Sequence, residues 1–229
     1  MPDEFQLEDL QQLNDQDPEI TPGLFEGDQA IDNELFSYFR VGLKWDVFPE
    51  KLWPNRTIPY AISPLYEPED MITILTAIRT LSAMTCVKFV KWTGKQDDFL
   101  LIWPIKFPKA MGIFHEQSRA DRDRFVKVHW ENIITGYKGN FEKQSLVNTT
   151  YSFEYDFNSI MHYGKFSSAK YFSKTKGKPT LTSKQPDVRI GQRKALSVTD
   201  CLKINDLYGC LDEPKLMKKY YTLCRVLGV

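Results

Sequence analysis

Apolar and polar positions along the chain change period several times, and each change marks an element. Thr57-Ile58-Pro59-Tyr60-Ala61-Ile62, entered through Trp53-Pro54-Asn55, reads as a strand behind a proline turn. Pro68-Glu69-Asp70 opens a helix with its acid groups at the positive end of the helix dipole. Met71, Ile74, Leu75, Ile78 and Leu81 then recur at helical spacing and give that helix one apolar face, which belongs to a core. Cys86-Val87-Lys88-Phe89-Val90 alternates as a strand, and the continuous apolar run Phe99–Trp103 reads as a buried one. Phe125 to Trp130 alternates again as a short strand or extended segment, and Glu131 to Phe141 looks partly helical and amphipathic. Residues 165–194 are rich in Lys, Ser and Gly and read mostly as loop. Ser197 is placed to cap a final helix through Leu207, with Val198, Cys201, Ile204 and Tyr208 on one face. Two flanks stand apart. Residues 1–40 form a polar, acidic lead broken by Pro18 and Pro22, and residues 212–229 form a basic tail with a partly apolar end. No internal repeat is present.

Composition changes this picture little. At 229 residues the chain is one domain of ordinary size with appendages, and 42% apolar content is enough for a real core. Thirty basic residues cancel 30 acidic ones, so nothing argues for a nucleic-acid partner. No apolar run approaches the length of a membrane span. The stretch Met1–Leu10 is acidic and has no apolar signal region, which taken alone suggests a cytosolic protein. The four cysteines, at 86, 201, 210 and 224, lack metal-type spacing; their even number permits two disulfides. Cys201 reads as a buried thiol or as the partner of Cys224. Asn55-Arg56-Thr57 and Asn148-Thr149-Thr150 are glycan acceptors only in a secreted chain.

Three motifs point to one chemistry. Gly112-Ile113-Phe114-His115-Glu116-Gln117-Ser118-Arg119-Ala120-Asp121-Arg122-Asp123 resembles the segment by which astacin-family zinc endopeptidases are known. Ser159-Ile160-Met161-His162-Tyr163 resembles their Met-turn with its tyrosine, and Ile190-Gly191-Gln192-Arg193 through Leu196-Ser197, then Ile204-Asn205 and Tyr208-Gly209-Cys210, resembles the end of their catalytic domain. Arg56–Tyr60 and Thr85–Phe89 fit its start, so the likeness covers about residues 25–210.

The resemblance implies an α+β, metzincin-like domain of two subdomains: a twisted sheet with helices, then a loop-rich half with a final helix. It implies a Zn2+ cofactor, protein or peptide substrates, and a secreted location. It also implies roles. His115 is the third zinc ligand after Gly112, and Glu116 takes the ammonium of a processed N-terminus. Met161 floors the metal site. Tyr163 is a swinging ligand whose hydroxyl stabilises the oxyanion. Phe25-Glu26-Gly27-Asp28 resembles the pro-segment motif whose Asp28 carboxylate would block the open zinc position, making residues 1–40 the chain's own inhibitor. Cys86 and Cys210 match the pair that ties the ends of the domain together. Arg119, Asp121, Arg122 and Asp123 form an ion network behind the site, where composition alone would give a solvated charge run.

The chain also departs from the family. A metzincin site reads H-E-x-x-H-x-x-G-x-x-H, with two His one helical turn apart and a Glu general base between them. With His115 as the third His, positions 105, 106 and 109 should be His, Glu and His. They are Ile105, Lys106 and Lys109, and Pro108 falls inside the expected helix. The other histidines are His129, read as a strand histidine, and His162, which is not a ligand in the family; Arg119 cannot ligate zinc. The peptidase domain, residues 41–211, is therefore expected to lack an internal segment near 109/110. The lost segment carries the active-site helix, the general base and a sheet edge, and apolar faces next to it should be left uncovered. An astacin-like metalloendopeptidase lineage, inactive or impaired in this chain, is the leading expectation. The alternatives are a pseudoprotease acting as a binding or decoy module, and an incomplete, skipped-exon version of an active enzyme.

Overall fold

Strand β1 (Thr57–Ile62) is the spine of the first half. In the computed structural model, residues 52–102, 113–144, 152–165, 172–175 and 177–229 are described. Helix α1 (Pro68–Met84) follows, then β2 (Lys88–Lys91) and β3 (Leu100–Ile102), and the three strands form a parallel sheet in the order β2-β1-β3. Ile58 pairs with Phe89, and Ile62 with Ile102. A proline is awkward inside a central strand because it removes a ladder donor. Pairing with β3 begins only at Tyr60, so at Pro59 the strand has β2 alone as neighbour.

Two details of this half differ from the alternation pattern. Strand β2 begins at Lys88 and not at Cys86. The two donors before it are taken by side chains: Cys86 N–H donates to Asn205 Oδ1 at 3.2 Å, and Val87 N–H to Thr85 Oγ1 at 3.2 Å. The Phe99–Trp103 run is not a buried strand throughout. β3 lies at an edge of the sheet, and Leu101 is 44% exposed. Helix α1 begins with Pro68 in its first turn beside Glu69 and Asp70, as its sequence signals require. Its apolar stripe is only partly covered: Ile78 and Met84 are buried, while Met71, Ile74, Leu75 and Leu81 are half-buried.

The second half carries little regular structure. Strand β4 (Val126–Val128) pairs antiparallel with β5 (Leu181–Ser183), inside the stretch expected to be loop. Val126, Val128 and Leu181 point into a core with Ile133, Phe141, Tyr155, Tyr163 and Phe172. Between the strands, Glu131–Phe141 forms two 3-10 turns, Trp130–Asn132 and Thr135–Phe141, and not an amphipathic α-helix. Gly136 and Gly139 weaken the helical alternative there by about 1 kcal/mol each.

Helix α2 (Val198–Leu207) has the expected Ser197 cap, reinforced by Asp200 as a full capping box. The tail differs most from expectation. Residues Pro214–Leu227 form helix α3, with Tyr220 and Cys224 buried and Leu216 and Leu223 packed into the core around Ile58, Val87 and Ile204. Its signals are present in the chain: Pro214 opens the first turn, and Leu216, Tyr220, Leu223, Cys224 and Leu227 recur at helical spacing. Lys215, Lys218, Lys219 and Arg225, interleaved with them, give the stretch the composition of a basic tail.

The two halves are joined at the end of α1. Asn205, fully buried on α2, donates to Met84 O at 2.9 Å and accepts from Cys86 N–H. Cys86 is bonded to Cys210, and Cys201 to Cys224, with Cα separations of 5.7 and 5.5 Å. The second bond resolves the open choice at Cys201 and locks α3 onto α2. Replacing Cys201 and Cys224 together by Ala removes a cross-link across a separation of 23 residues. By loop-closure entropy this should lower stability by roughly 3 kcal/mol. A urea unfolding curve whose midpoint matches wild type would contradict that expectation.

Candidate active site

The segment after Ile113 is extended at His115 and then turns through a single 3-10 turn, Glu116–Ser118. Two hydrogen bonds hold it against the turn at Ser159–His162. Glu116 N–H donates to Met161 O at 3.1 Å, and Tyr163 N–H to Gln117 Oε1 at 3.0 Å. The His115 ring meets the Tyr163 ring edge to face, with centroids 4.5 Å apart, and both are buried. The structure therefore brings His115, Met161 and Tyr163 together. Asp28, Gly112 and the run 105–109 fall outside the described residues.

The turn itself is fastened from below. Asp200 Oδ1 accepts the Ser159 hydroxyl at 2.6 Å, and its Oδ2 accepts Ile160 N–H at 2.8 Å and Ser197 N–H at 3.1 Å. Burial pushes the Asp200 carboxyl above its usual range, against the pull of these donors. From the other side, Arg193 Nη1 donates to the carbonyls of Ile160 and His162. Gly191 is a position where only glycine fits: its φ is +83°, and a Cβ would lie 2.1 Å from the Gly164 Cα.

His162 has both ring nitrogens engaged. Tyr163 O can only accept, so Nδ1 donates to it at 2.7 Å, and Nε2 accepts the Tyr155 hydroxyl at 2.7 Å. Burial lowers the His162 pKa to about 4, although the Tyr163 carbonyl favours the charged form; the charges of Arg193, His115 and Lys203 lower it further. Tyr155, which belongs to none of the motifs, is the other half of this lock. Burial, followed by the Glu116 charge, pushes its phenol well above the ordinary value, with Arg122 and Arg119 pulling the other way.

Behind the site lies the ion network. Glu116 is 3% exposed; Oε1 accepts from Arg119 Nη1 at 3.1 Å and from Asp156 N–H at 2.9 Å, and Oε2 pairs with Lys203 Nζ at 2.5 Å. Arg119 also forks onto both Asp121 oxygens and reaches the carbonyls of Phe153 and Glu154. Arg122, buried, donates to Gln117 O at 2.8 Å and pairs with Asp123, which Lys143 also contacts. In the run 119–123 the two arginines are thus interior scaffold, with Asp121 half-buried beside Arg119 and Asp123 at the surface, and the run is not a plain solvated face. Both Glu116 oxygens, which the resemblance assigns to a processed N-terminus, are held here by internal partners. One of these, Lys203, lies outside every motif.

Among the described residues, the donor set does not make up a catalytic zinc site. A catalytic zinc takes three protein ligands and an open position. Of the chain's three histidines, His162 is committed as above. His129 bonds Thr182 Oγ1 at 2.9 Å through Nε2 and lies 3.4 Å from Glu131 through Nδ1. The four cysteines form disulfides. Among the described residues, no three His, Cys, Asp or Glu side chains converge on a common point.

Comparison with known proteins places the chain. The sequence model of the astacin peptidase family matches residues 46–107 and, separately, residues 105–209. The chain belongs to the astacin family. It is 33% identical to zinc metalloproteinase nas-15 of Caenorhabditis elegans, over 86% of this chain and 41% of the relative. It is 34% identical to zinc metalloproteinase nas-4 of the same organism, over 69% and 59% respectively. High choriolytic enzyme 1 of Oryzias latipes is 33% identical over 67% of this chain and 66% of that enzyme. The solved structure of that hatching enzyme zinc-protease superposes with a TM-score of 0.59 at 28% identity, covering 80% of this chain and 98% of that one. The chain spans about half the length of the first curated relatives it matches. With the astacin relative nas-4 the aligned stretch is 190 residues, of which this chain supplies 69% of its 229, about 158; about 32 positions have no counterpart here.

Two outcomes follow for this astacin-family site. Asp200→Ala leaves the Ser159 hydroxyl and the Ile160 and Ser197 N–H groups without their acceptor; a loss of roughly 3 kcal/mol is expected in denaturant unfolding. The folded-state pKa of His162 lies below its unfolded value, so the unfolded chain binds the extra proton between pH 6.5 and about 4. Stability is full above pH 6.5 and falls as pH drops through that window, by up to about 1.4 kcal/mol per unit. Asp200, with its raised pKa, acts in the opposite direction, so the His162 share is isolated by comparing unfolding midpoints of wild type and His162→Asn at pH 7 and pH 5. Equal pH slopes in the two proteins would refute the assignment.

Proposed function

We propose that this chain is an astacin-type zinc metalloendopeptidase scaffold from which the segment carrying H-E-x-x-H is excised, close to the join at Lys109-Ala110, and that it does not hydrolyse peptide bonds. The observation that carries this reading is the family match in two blocks, 46–107 and 105–209, meeting where the motif should stand. The positions left over against nas-4, about 32, are a suitable length for an active-site helix with a neighbouring strand.

Zinc in this family supplies an activated water and a Lewis acid. Of the machinery for that chemistry, this chain keeps His115 and Tyr163, and it has no glutamate at the general-base position. Its remaining residues hold the site's architecture: Asp200 and Arg193 shape the turn, His162 and Tyr155 lock it, and Glu116 anchors the ion network. In an uninterrupted chain of this lineage, the substrates would be proteins or peptides, and residues 1–40 would act as the inhibitory pro-segment through Asp28. The two disulfides support a secreted location.

A folded pseudoprotease acting as a binding or decoy module is the second reading. It is favoured by the network around Glu116 and Asp200, whose carboxylates are held by internal partners and give the described residues a tied-together frame.

Purified full-length protein should hold well under one zinc per chain by elemental analysis and should leave casein intact with or without added zinc. Chelator-sensitive proteolysis would overturn the proposal. Sequencing transcripts across Lys109-Ala110 separates the two readings: longer transcripts with an added exon identify a skipped-exon product, whereas uninterrupted short ones favour the pseudoprotease.

A further inference from the structure

Residues Pro54–Thr57 make a tight projecting turn that the site does not use. Asn55 and Arg56 both have left-handed backbones, φ 54° and 56°, and Thr57 N–H closes the turn onto Pro54 O. Two successive residues at positive φ give a type I′ geometry, in which asparagine is among the best tolerated residues. The base of the turn is fixed on both sides. Trp53 packs against the core cluster of Ile58, Val87 and Tyr208, and Thr57 starts β1. Arg56 is tied across to the other end of the domain, donating from Nη2 to Gly209 O at 3.1 Å. Asn55 at the tip is exposed, and no described residue hydrogen-bonds its carboxamide. Thr57 Oγ1 donates to Asn55 O at 3.1 Å, so the hydroxyl sits beside the asparagine.

Asn55-Arg56-Thr57 is an Asn-x-Thr triplet. Such triplets are common by chance, and what separates a usable one from a chance one is surface placement and compartment. Both are met here. The tip of the turn faces outward. The disulfides Cys86–Cys210 and Cys201–Cys224 belong to a chain that folds in an oxidising compartment, where asparagine glycosylation takes place. A glycan is bulky and solvated, so a site inside the core would block the fold. A branch at Asn55 leaves from an exposed residue of a turn that is anchored through its neighbours Trp53 and Arg56.

We infer that Asn55 is an N-glycosylation site. The transfer is a substitution at a sugar. The Asn55 carboxamide nitrogen bonds to the anomeric carbon of a lipid-diphosphate-linked oligosaccharide, and the bond from that carbon to the diphosphate oxygen breaks. The lipid diphosphate leaves, and the amide proton passes to a base of the transferase. The compartment part of this inference rests on the secreted reading above, and the test keeps the two apart.

The full chain is produced in eukaryotic cells behind a supplied secretory leader, so that natural targeting plays no part. Enzymatic deglycosylation of the secreted protein should convert Asn55 to Asp in the peptide map, with most of the Asn55 peptide modified beforehand. Thr57→Ser should retain the glycan. Thr57→Ala, which leaves Asn55 and its backbone in place, should lose it, as should Asn55→Gln. An unmodified Asn55 peptide in the secreted wild-type protein overturns the site. Whether the natural protein is found outside its cells tests the secreted reading alone.

Discussion

Asp200 is the interaction on which the site depends. As the third residue of α2 it completes the capping box with Ser197, a local duty that one carboxylate oxygen performs for any helix start. Here the same carboxylate also receives the Ser159 hydroxyl and Ile160 N–H, 41 and 40 residues upstream. The start of α2 and the turn that leads into Met161 and Tyr163 are therefore tied to one carboxylate. The ion network shares its groups in the same way: Glu116 satisfies Arg119, Lys203 and the Asp156 backbone at once, in a setting where an unpaired charge would be very unfavourable.

How much of this is legible in the sequence depends on whether a signal is local. The β1 strand, the α1 helix with Pro68 at its start, and the Ser197 cap are all readable, because period and capping chemistry are contained within a few residues. The limits of β2 are not. Cys86 and Val87 alternate correctly, yet their N–H groups go to Asn205 and Thr85, and Asn205 is 119 residues away from Cys86. Helix α3 escapes a reading by composition because four cations mask an apolar spacing that is there to be counted. At the site, His115, Met161 and Tyr163 are reached through motifs. Lys203 and Tyr155 are not, since a lysine on a helix and a tyrosine in a loop have no pattern that announces a buried partner.

The two halves carry different kinds of order. The first is built on a ladder of backbone hydrogen bonds around β1. The second depends on side chains: stacked Phe125 and Tyr155, the Tyr155–His162 lock and the arginine forks. A half of the second kind has few backbone ladders to fall back on, so its polar pairs must be satisfied together. That is consistent with the number of buried charged and polar residues between His115 and Arg122.

The Cys86–Cys210 bond makes a covalent ring of everything between these residues, including the stretch 105–109 where the family match divides. Adding or removing a segment inside that ring changes its circumference but not the positions of its clasp. Because closure entropy varies only with the logarithm of loop length, about 30 residues more or less alter it by only a few tenths of a kcal/mol. The chain before Cys86 and the chain after Cys210 are thus insulated from such a change. An evolutionary or splicing event could take the chemistry out of the middle while the outer frame kept the same ends in register.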